Sequence, residues 1–361
     1  MFDRGVGGVE RMAILLMNAM VERGHDVSLF TWDEANARAY YPMSEAIRWN
    51  RLDMGDPGTS AGLVLRLRRM RRFRRFATSS GPDVVVAFQH GPFLFAASSL
   101  LGTRVPLVLA ERNAPDRFDY LRAGRRRATV FGTMRLAKAV TVQFESYIQR
   151  YPTHVRPRIV AIPNPVYRVA EYAEPGARKE QRTLLSVGRL SYQKNFSALL
   201  RAFACVSGDC PEWRLRIVGE GEERAALQAL ADELGIGPRV SLVGPTPDVS
   251  AEYRAADLFC LPSRWEGFPN AIAEAMAHGL PAVAFERCAG ASELIVSGHN
   301  GELADGNGDA ESLSSTLKVL MQDAGTRERL GKEARDIVEA YRPEGVFDRW
   351  ERLLRRVARH P

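Results

Sequence analysis

The sequence predicts an α/β protein of two doubly wound domains, each with a parallel sheet. Three observations carry this. Short runs apolar on both faces recur along the whole chain, each bounded by turn residues, as strands covered by helices on both sides require. Stretches of helical periodicity alternate with them in the rhythm of βαβ units. The series falls into two parts that meet in residues 163–172, a segment with Pro163 and Pro165 and with Pro175 just beyond. Two such sheets imply a cleft between the domains, and ligands of such sheets bind at the carboxyl ends of strands, in the loops that open helices.

Size and composition agree. The 361 residues allow two domains of about 150 residues each. A content of 45% hydrophobic and 26% charged residues excludes disordered, collagen-like and coiled-coil chains. The most apolar stretch, 91–110, is broken by Arg104 and Pro106 and falls short of the ~20 apolar residues of a bilayer span. Asp3 and Arg4 follow Met1, so no secretory leader is readable, and a cytoplasmic protein is expected. Cys205, Cys210, Cys260 and Cys288 lack C-x-x-C spacing and paired histidines, so buried small hydrophobes in a reducing compartment are expected rather than metal ligands.

In the first half, Val9, Met12, Ala13, Leu16 and Met20 make a helical stripe that Gly24 can end. Strands are expected at 27–31, 84–88, 106–110, 139–143 and 159–163. In the second half they are expected at 183–187, 214–218, 240–243, 258–261 and 282–285, with helices over 222–234 and 271–278. Residues 343–357 read as a helix with Val346, Trp350, Leu353 and Leu354 on one side.

Three loops at helix starts hold chemistry. The strand at 183–187 runs into Arg189 and then Lys194 and Asn195; two cations five residues apart suit a diphosphate, one charge to each phosphate. The same spacing fits a solvated loop with ordinary surface cations. Residues 263–270, Ser-Arg-Trp-Glu-Gly-Phe-Pro-Asn, lead into a helix carrying Glu274. Pro269 suits a first helical turn, leaving backbone N–H groups around 268–271 to face a ligand. Glu266 and Glu274, eight residues apart, would lie ~12 Å apart along a helix axis, the reach of a sugar diphosphate with its ribose. A surface Glu beside a capped helix is the plainer account. Gly5-Val6-Gly7-Gly8 opens the first helix, where glycines let a phosphate approach backbone N–H groups.

Together these pieces resemble the retaining GT-B glycosyltransferases of family 4, over nearly the whole chain. The resemblance rests on GGVERMA at the start, SVGRLSYQKNF at 186–196, IVGEGEER at 217–224 and SRWEGFPNAIAEAMAHGLPAV at 263–283, which holds the family's Glu, seven residues, Glu signature as Glu266 and Glu274. The stretch ERNAPDRF (111–118) and Ile162-Pro163-Asn164-Pro165 look like bacterial enzymes that add hexoses or N-acetylhexosamines to lipid-linked oligosaccharides. The resemblance implies an acceptor-binding domain over 1–165, a nucleotide-sugar-binding domain over 166–345, and a helix over 346–361 that crosses back onto the first domain. A helix confined to the second domain's core is the alternative. It also implies that Arg189 and Lys194 bind the donor diphosphate, Glu274 the ribose, and Glu266 with the backbone of Gly267 and Phe268 the donor sugar. Asn270 and Ala271 would offer backbone donors to the phosphates, and Gly7 and Gly8 would meet them from the opposite domain. No cofactor is implied, since the nucleotide-sugar, a UDP-sugar by expectation, is a substrate. No metal is implied either, and the chain has no Asp-x-Asp motif.

Two departures matter. Family members carry a hydrophobic strand before the glycine loop, and here only residues 1–4 precede it. A missing central strand would leave buried backbone groups unpaired and put the first domain's stability and the activity in doubt. Many relatives place a His after the strand at 106–110; here that position is Glu111, a candidate for acceptor positioning or proton transfer.

Residues 1–165 hold 25 Lys/Arg against 14 Asp/Glu, a balance of +11, whereas the remainder is at −4, so the first half favours an anionic partner. Leu63, Leu67, Met70 and Phe73 recur at helical spacing among seven arginines from Arg66 to Arg75, and a second cluster runs from Arg122 to Arg127. An anionic membrane surface is the expected partner, which would hold the enzyme on the inner face of the membrane beside a lipid-linked glycan acceptor. A solvated helix with its Leu/Met side in the core is the alternative. No aromatic-interleaved platform points to nucleic acid. The function expected is transfer of a sugar in surface polysaccharide assembly. The rivals are a soluble transferase making a small glycoside or glucan, and an inactive homologue acting as a scaffold.

Overall fold

Every strand pairing among the described residues is parallel, as runs apolar on both faces demand. The computed structural model describes residues 7–55, 62–120, 124–306 and 308–358. These divide into two compact units. One takes in described residues up to 118, 124–164 and 344–358; the other takes in 119–120 and 165–343.

In the first unit, β1 (Ser28–Thr31) pairs with β2 (Arg48–Arg51), while β3 (Val85–Phe88), β4 (Leu107–Ala110), β5 (Ala139–Val142) and β6 (Ile159–Ala161) form a four-stranded sheet in that order. The helix Gly8–Glu22 buries Met12, Ala13, Leu16 and Met20, the stripe its periodicity predicts. They pack with Val108, Ala110, Ala139 and Ile162 of the sheet side and with Val346, Phe347, Trp350, Leu353 and Val357 of the last helix, Pro343–Ala358. At ~1.5–3 kcal/mol per large apolar side chain, this cluster dominates the join between the unit's early helix and its last one. Arg23 meets Asp348 at 2.8 Å and His25 meets Glu351 at 3.0 Å on the rim, where solvent screening leaves such pairs a small contribution. The hydrogen bond from His25 holds the Glu351 carboxyl below its ordinary range.

The second unit is a six-stranded sheet built from β7 (Arg182–Val187), β8 (Trp213–Val218), β9 (Val240–Gly244), β10 (Leu258–Leu261), β11 (Ala282–Phe285) and β12 (Gly301–Ala304). Their spatial order is β12-β11-β10-β7-β8-β9, the doubly wound arrangement with its reversal between β7 and β10.

Several expectations are corrected. β2 and β12 carry no apolar run; Arg-Trp-Asn-Arg and Gly-Glu-Leu-Ala sit at sheet edges, where one side needs no burial. Cys205 is exposed, while Cys210, Cys260 and Cys288 are buried. The basic helix, Leu63–Ser80, does not bury the Leu63 and Leu67 side that the solvated-helix alternative places in the core. Arg69, Phe73 and Ala77 are buried, whereas Leu63 is 73% and Leu67 43% exposed. Arg69 is buried because its guanidinium donates to the carbonyls of Met54 at 2.6 Å and Gly55 at 3.0 Å. Arg74 likewise caps the carbonyls of Ser99 and Leu101, at 2.9 and 2.6 Å. The expected gap before the glycine loop falls on residues 1–6, outside the described residues, as does Arg122 of the second arginine cluster. Among the described residues, no helix is long and apolar enough to cross a membrane.

Trp350 is fully buried with its ring 6.4 Å from that of Phe88. Trp350→Ala is expected to lower the stability of the first unit by about 3–5 kcal/mol. Native-state hydrogen exchange of amides in Gly8–Glu22 and β4 measures it, and unchanged protection there would contradict this core.

Candidate functional site

The reversal of strand order parts the two loops that leave β7 and β10, and these loops hold most of the predicted donor residues. Residues 188–195 follow β7 and lead into the helix Phe196–Val206; residues 262–269 follow β10 and lead into the helix Asn270–Ala277. The loops are laced together. The Arg264 N–H donates to the Gln193 carbonyl at 2.9 Å, and the Gln193 side-chain amide donates back to the Trp265 carbonyl at 2.8 Å. The Lys194 ammonium donates to Glu266 Oε1 at 2.6 Å, with both side chains largely shielded from solvent. The Glu266 backbone N–H is fixed on the Ala289 carbonyl at 3.0 Å. A cation and a carboxylate thus stand in contact at the carboxyl edge of the sheet, where a charged, hydroxylated ligand can separate them.

The first loop is braced from the other side by residues 219–221. The Gly188 N–H donates to the Val218 carbonyl and the Leu190 N–H to the Glu220 carbonyl, at 2.9 and 3.0 Å. Backbone meets backbone so closely that a Cβ on Gly219 would lie 2.0 Å from the Gly188 oxygen, and one on Gly221 2.2 Å from the Leu190 oxygen. Gly219 also has φ +143°, a region that side chains avoid. The glycines of IVGEGEER therefore set the height of the loop that carries Lys194. Sequence reasoning quoted this motif without a role for it.

Arg189 points out of the lacing. Its side chain is 74% exposed and pairs with Glu222 at 3.1 Å. Solvent screens an exposed pair of this kind, so its guanidinium is easily redirected to another anion. Pro269 stands at the N-cap rather than inside the first turn, and the Asn270 N–H already donates to the Phe268 carbonyl at 2.9 Å. The expectation of open donors is corrected at that position; Ala271 opens the helical turn behind it. Gly267 and the buried Phe268 lie between Glu266 and that cap.

The ~12 Å estimate between Glu266 and Glu274 needs correction, because Glu266 lies in the loop and only Asn270 to Glu274 runs along the axis, a rise of about 6 Å. Glu274 is anchored twice. Its Oε2 accepts from the Tyr253 hydroxyl at 3.1 Å, and its backbone carbonyl accepts from His278 Nδ1 at 2.7 Å. That bond puts the His278 proton on Nδ1, so Nε2 accepts from Ser250 Oγ at 2.7 Å. Burial pushes the His278 pKa down, in keeping with a neutral ring. Tyr253 is a residue that sequence reasoning missed, since a lone Tyr in a seven-residue helix, Val249–Ala255, carries no local signal.

The remaining candidates belong to the first unit. Gly7 is the N-cap and Gly8 the first residue of the helix Gly8–Glu22. Glu111 follows β4 and is 2% exposed. Its Oε1 accepts from the Asn113 backbone N–H at 3.1 Å and from Arg117 at 3.3 Å. Its Oε2 is buried with no hydrogen-bond partner among the described residues. Burial lowers the pKa of nearby His90, and the Glu111 charge opposes that shift. Among the described residues, no group of three His, Cys, Asp or Glu side chains is placed to hold a metal ion.

Residues 7–165 match the family model of the glycosyl transferase 4-like domain, and residues 170–337 match that of glycosyl transferases group 1. Among curated relatives, an uncharacterized glycosyltransferase of Haemophilus influenzae is 28% identical over 96% of both chains. The amylovoran biosynthesis glycosyltransferase AmsD of Erwinia amylovora is 27% identical, again over 96% of both. A Campylobacter jejuni α-1,4-N-acetyl-D-galactosaminyltransferase, whose name gives a diphospho-undecaprenol-linked glycan, is 24% identical over 97% of this chain and 96% of its own. Two solved structures share the fold. Sucrose-phosphate synthase of Thermosynechococcus elongatus superposes with TM-score 0.82 at 21% identity, over 97% of this chain and 94% of the other. Anabaena HepE, solved with UDP and glucose, superposes with TM-score 0.78 at 18% identity, over 97% and 96%.

Gly219→Ala or Gly221→Ala is expected to cost the second unit about 3 kcal/mol or more, because the clashing atoms are backbone. Thermal unfolding would show it as a drop of roughly 6–12 °C in that unit's transition. An unchanged transition would mean that the loops do not need this approach.

Proposed function

Because this chain belongs to the group 1 glycosyltransferases of GT-B fold, we propose that it moves a hexose or N-acetylhexosamine from a UDP-sugar to a lipid-linked glycan in surface polysaccharide biosynthesis, with retention and without a metal. The observation that carries the donor half is the Lys194–Glu266 contact at the β7/β10 reversal, with Glu274 one helix start away. In this reading Lys194 leaves Glu266 for the diphosphate, and Arg189 leaves Glu222 to join it. Glu266, with the backbone of Gly267 and Phe268, then holds the donor sugar's hydroxyls. Asn270 and Ala271 flank the phosphates at the helix start, and Glu274 takes the ribose. Charge that builds on the departing diphosphate is met by these two cations once they have switched partners. The acceptor hydroxyl attacks from the face the diphosphate leaves, and Glu266 is not assigned as a covalent nucleophile. Glu111 orients the acceptor or takes its proton. HepE's complex with UDP and glucose and the undecaprenol-linked substrate of the Campylobacter relative support this choice of donor and acceptor classes.

The acceptor half draws on the helix Leu63–Ser80. Leu63, Val64 and Leu67 are exposed beside Arg66, Arg68, Arg71, Arg72 and Arg75. Apolar side chains bared among cations suit a helix lying in an anionic lipid interface, on the inner face of the cell membrane.

Thermal stabilisation by a panel of UDP, GDP and ADP tests the donor. UDP is expected to raise the unfolding temperature of the wild type, Lys194→Ala to abolish the rise, and Glu111→Gln to keep it while lowering turnover in EDTA-containing buffer. A rise with another nucleotide alone, or one that survives Lys194→Ala, refutes the donor assignment. Co-sedimentation with phosphatidylglycerol-containing vesicles tests the surface. At about 1 kcal/mol per cation, replacing Arg68, Arg71, Arg72 and Arg75 by Gln is expected to weaken binding on the order of a thousandfold. Arg69 and Arg74 are left in place because they cap carbonyls. Undiminished sedimentation of that variant would leave the soluble glycoside or glucan transferase as the better reading.

A further inference from the structure

We propose that Tyr253 is a positioning residue for the donor nucleotide, acting through the Glu274 carboxylate; this rests on the reading of Glu274 as the ribose ligand. Tyr253 is fully buried, so its hydroxyl must find a partner within the protein, and the partner it finds is Glu274 Oε2 at 3.1 Å. The acceptor is a carboxylate, and the bond is shielded from water on the tyrosine side. It favours one rotamer of a half-buried, three-torsion side chain.

The tyrosine is itself immobilised. Its ring stacks on the His278 ring at 5.0 Å and meets Phe259 of β10 at 5.8 Å. His278 in turn is held between Ser250 Oγ and the carbonyl of Glu274. Ser250 and Tyr253 both come from the short helix Val249–Ala255, one turn apart, so a single element grips the side chain and, through His278, the backbone of Glu274. A carboxylate that only covered a surface would need neither contact. One that must accept from two adjacent ribose hydroxyls benefits from both, because the ordering cost is met in the free protein rather than on binding.

The test compares UDP with 2′,3′-dideoxyuridine diphosphate by titration calorimetry on wild type, Tyr253→Phe and Glu274→Gln. Wild type is expected to bind UDP more tightly than the dideoxy analogue. Tyr253→Phe should weaken UDP by about tenfold, the scale of one hydrogen bond to a charged group, and the analogue by less than twofold. The donor KM should rise in step while kcat stays within about twofold, since the reacting atoms lie elsewhere. The ratio of the two affinities is read on folded molecules only, so partial unfolding of a variant changes the stoichiometry and not the ratio. Discrimination lost in Glu274→Gln but intact in Tyr253→Phe overturns the positioning role alone, as does equal weakening of both ligands by Tyr253→Phe. Wild type that fails to distinguish the two nucleotides, or Glu274→Gln that discriminates like wild type, overturns the ribose reading and this inference with it.

Discussion

The polar cluster at the β7/β10 reversal depends on a contact between two stretches of backbone. Residues 188–190 lie against 219–221 at a distance that no side chain tolerates, tied by hydrogen bonds from Gly188 and Leu190. Parallel strands deliver these loops to one edge of the sheet, but pairing alone leaves their height above it undetermined. The glycine approach determines it. With that loop fixed, Lys194 arrives beside Glu266, and Gln193 bonds the backbone of Arg264 and Trp265 in the neighbouring loop. Removing backbone freedom here therefore has consequences for every polar group at the β7/β10 reversal. It also explains why a cluster built on loops is held in one geometry.

The two carboxylates of the site are held by opposite means. Glu266 is held by a cation that a phosphate can take away, so its environment is set to change when a ligand arrives. The Glu274 carboxylate accepts from the neutral hydroxyl of the buried Tyr253, and its backbone carbonyl from His278. A ligand that carries both phosphates and hydroxyls would thus find one carboxylate released and the other already in place. The division follows from which donor each carboxylate meets, a charged one on a loop or a neutral one in the core.

Much of this was legible in the sequence, and the exceptions share a cause. Runs such as Leu258–Leu261 and Ala282–Phe285 announce themselves because both of their faces must be apolar. β2 and β12 stay silent because edge strands escape that requirement. The motif residues Lys194, Glu266 and Glu274 are visible as charges next to helix starts, yet spacing along the chain misjudges their separation, since a loop has no fixed rise per residue. Tyr253 leaves no trace because its partner lies 21 residues away. The helix Leu63–Ser80 misleads for a further reason. Apolar periodicity assumes that arginine faces water, and Arg69 buries itself by capping carbonyls that would otherwise lack donors.

That exception bears on how net charge is to be used. The first unit's positive balance suggests an anionic partner, but a count treats every arginine alike. Arg69 and Arg74 are committed to carbonyls of the same unit, and Arg112 is buried against Asn164 and Ile162, with burial bringing its pKa down to about 10. Arg117 faces the Glu111 carboxylate. Their guanidinium groups are tied to partners within the unit and are less available to an external ligand. The exposed ones concentrate instead on one helix, interleaved with Leu63, Val64 and Leu67. An anion attracted by the whole unit's charge would be met diffusely. A surface that is both anionic and apolar would be met at that helix, because there alone among the described residues does a dense run of exposed arginines coincide with bared aliphatic side chains.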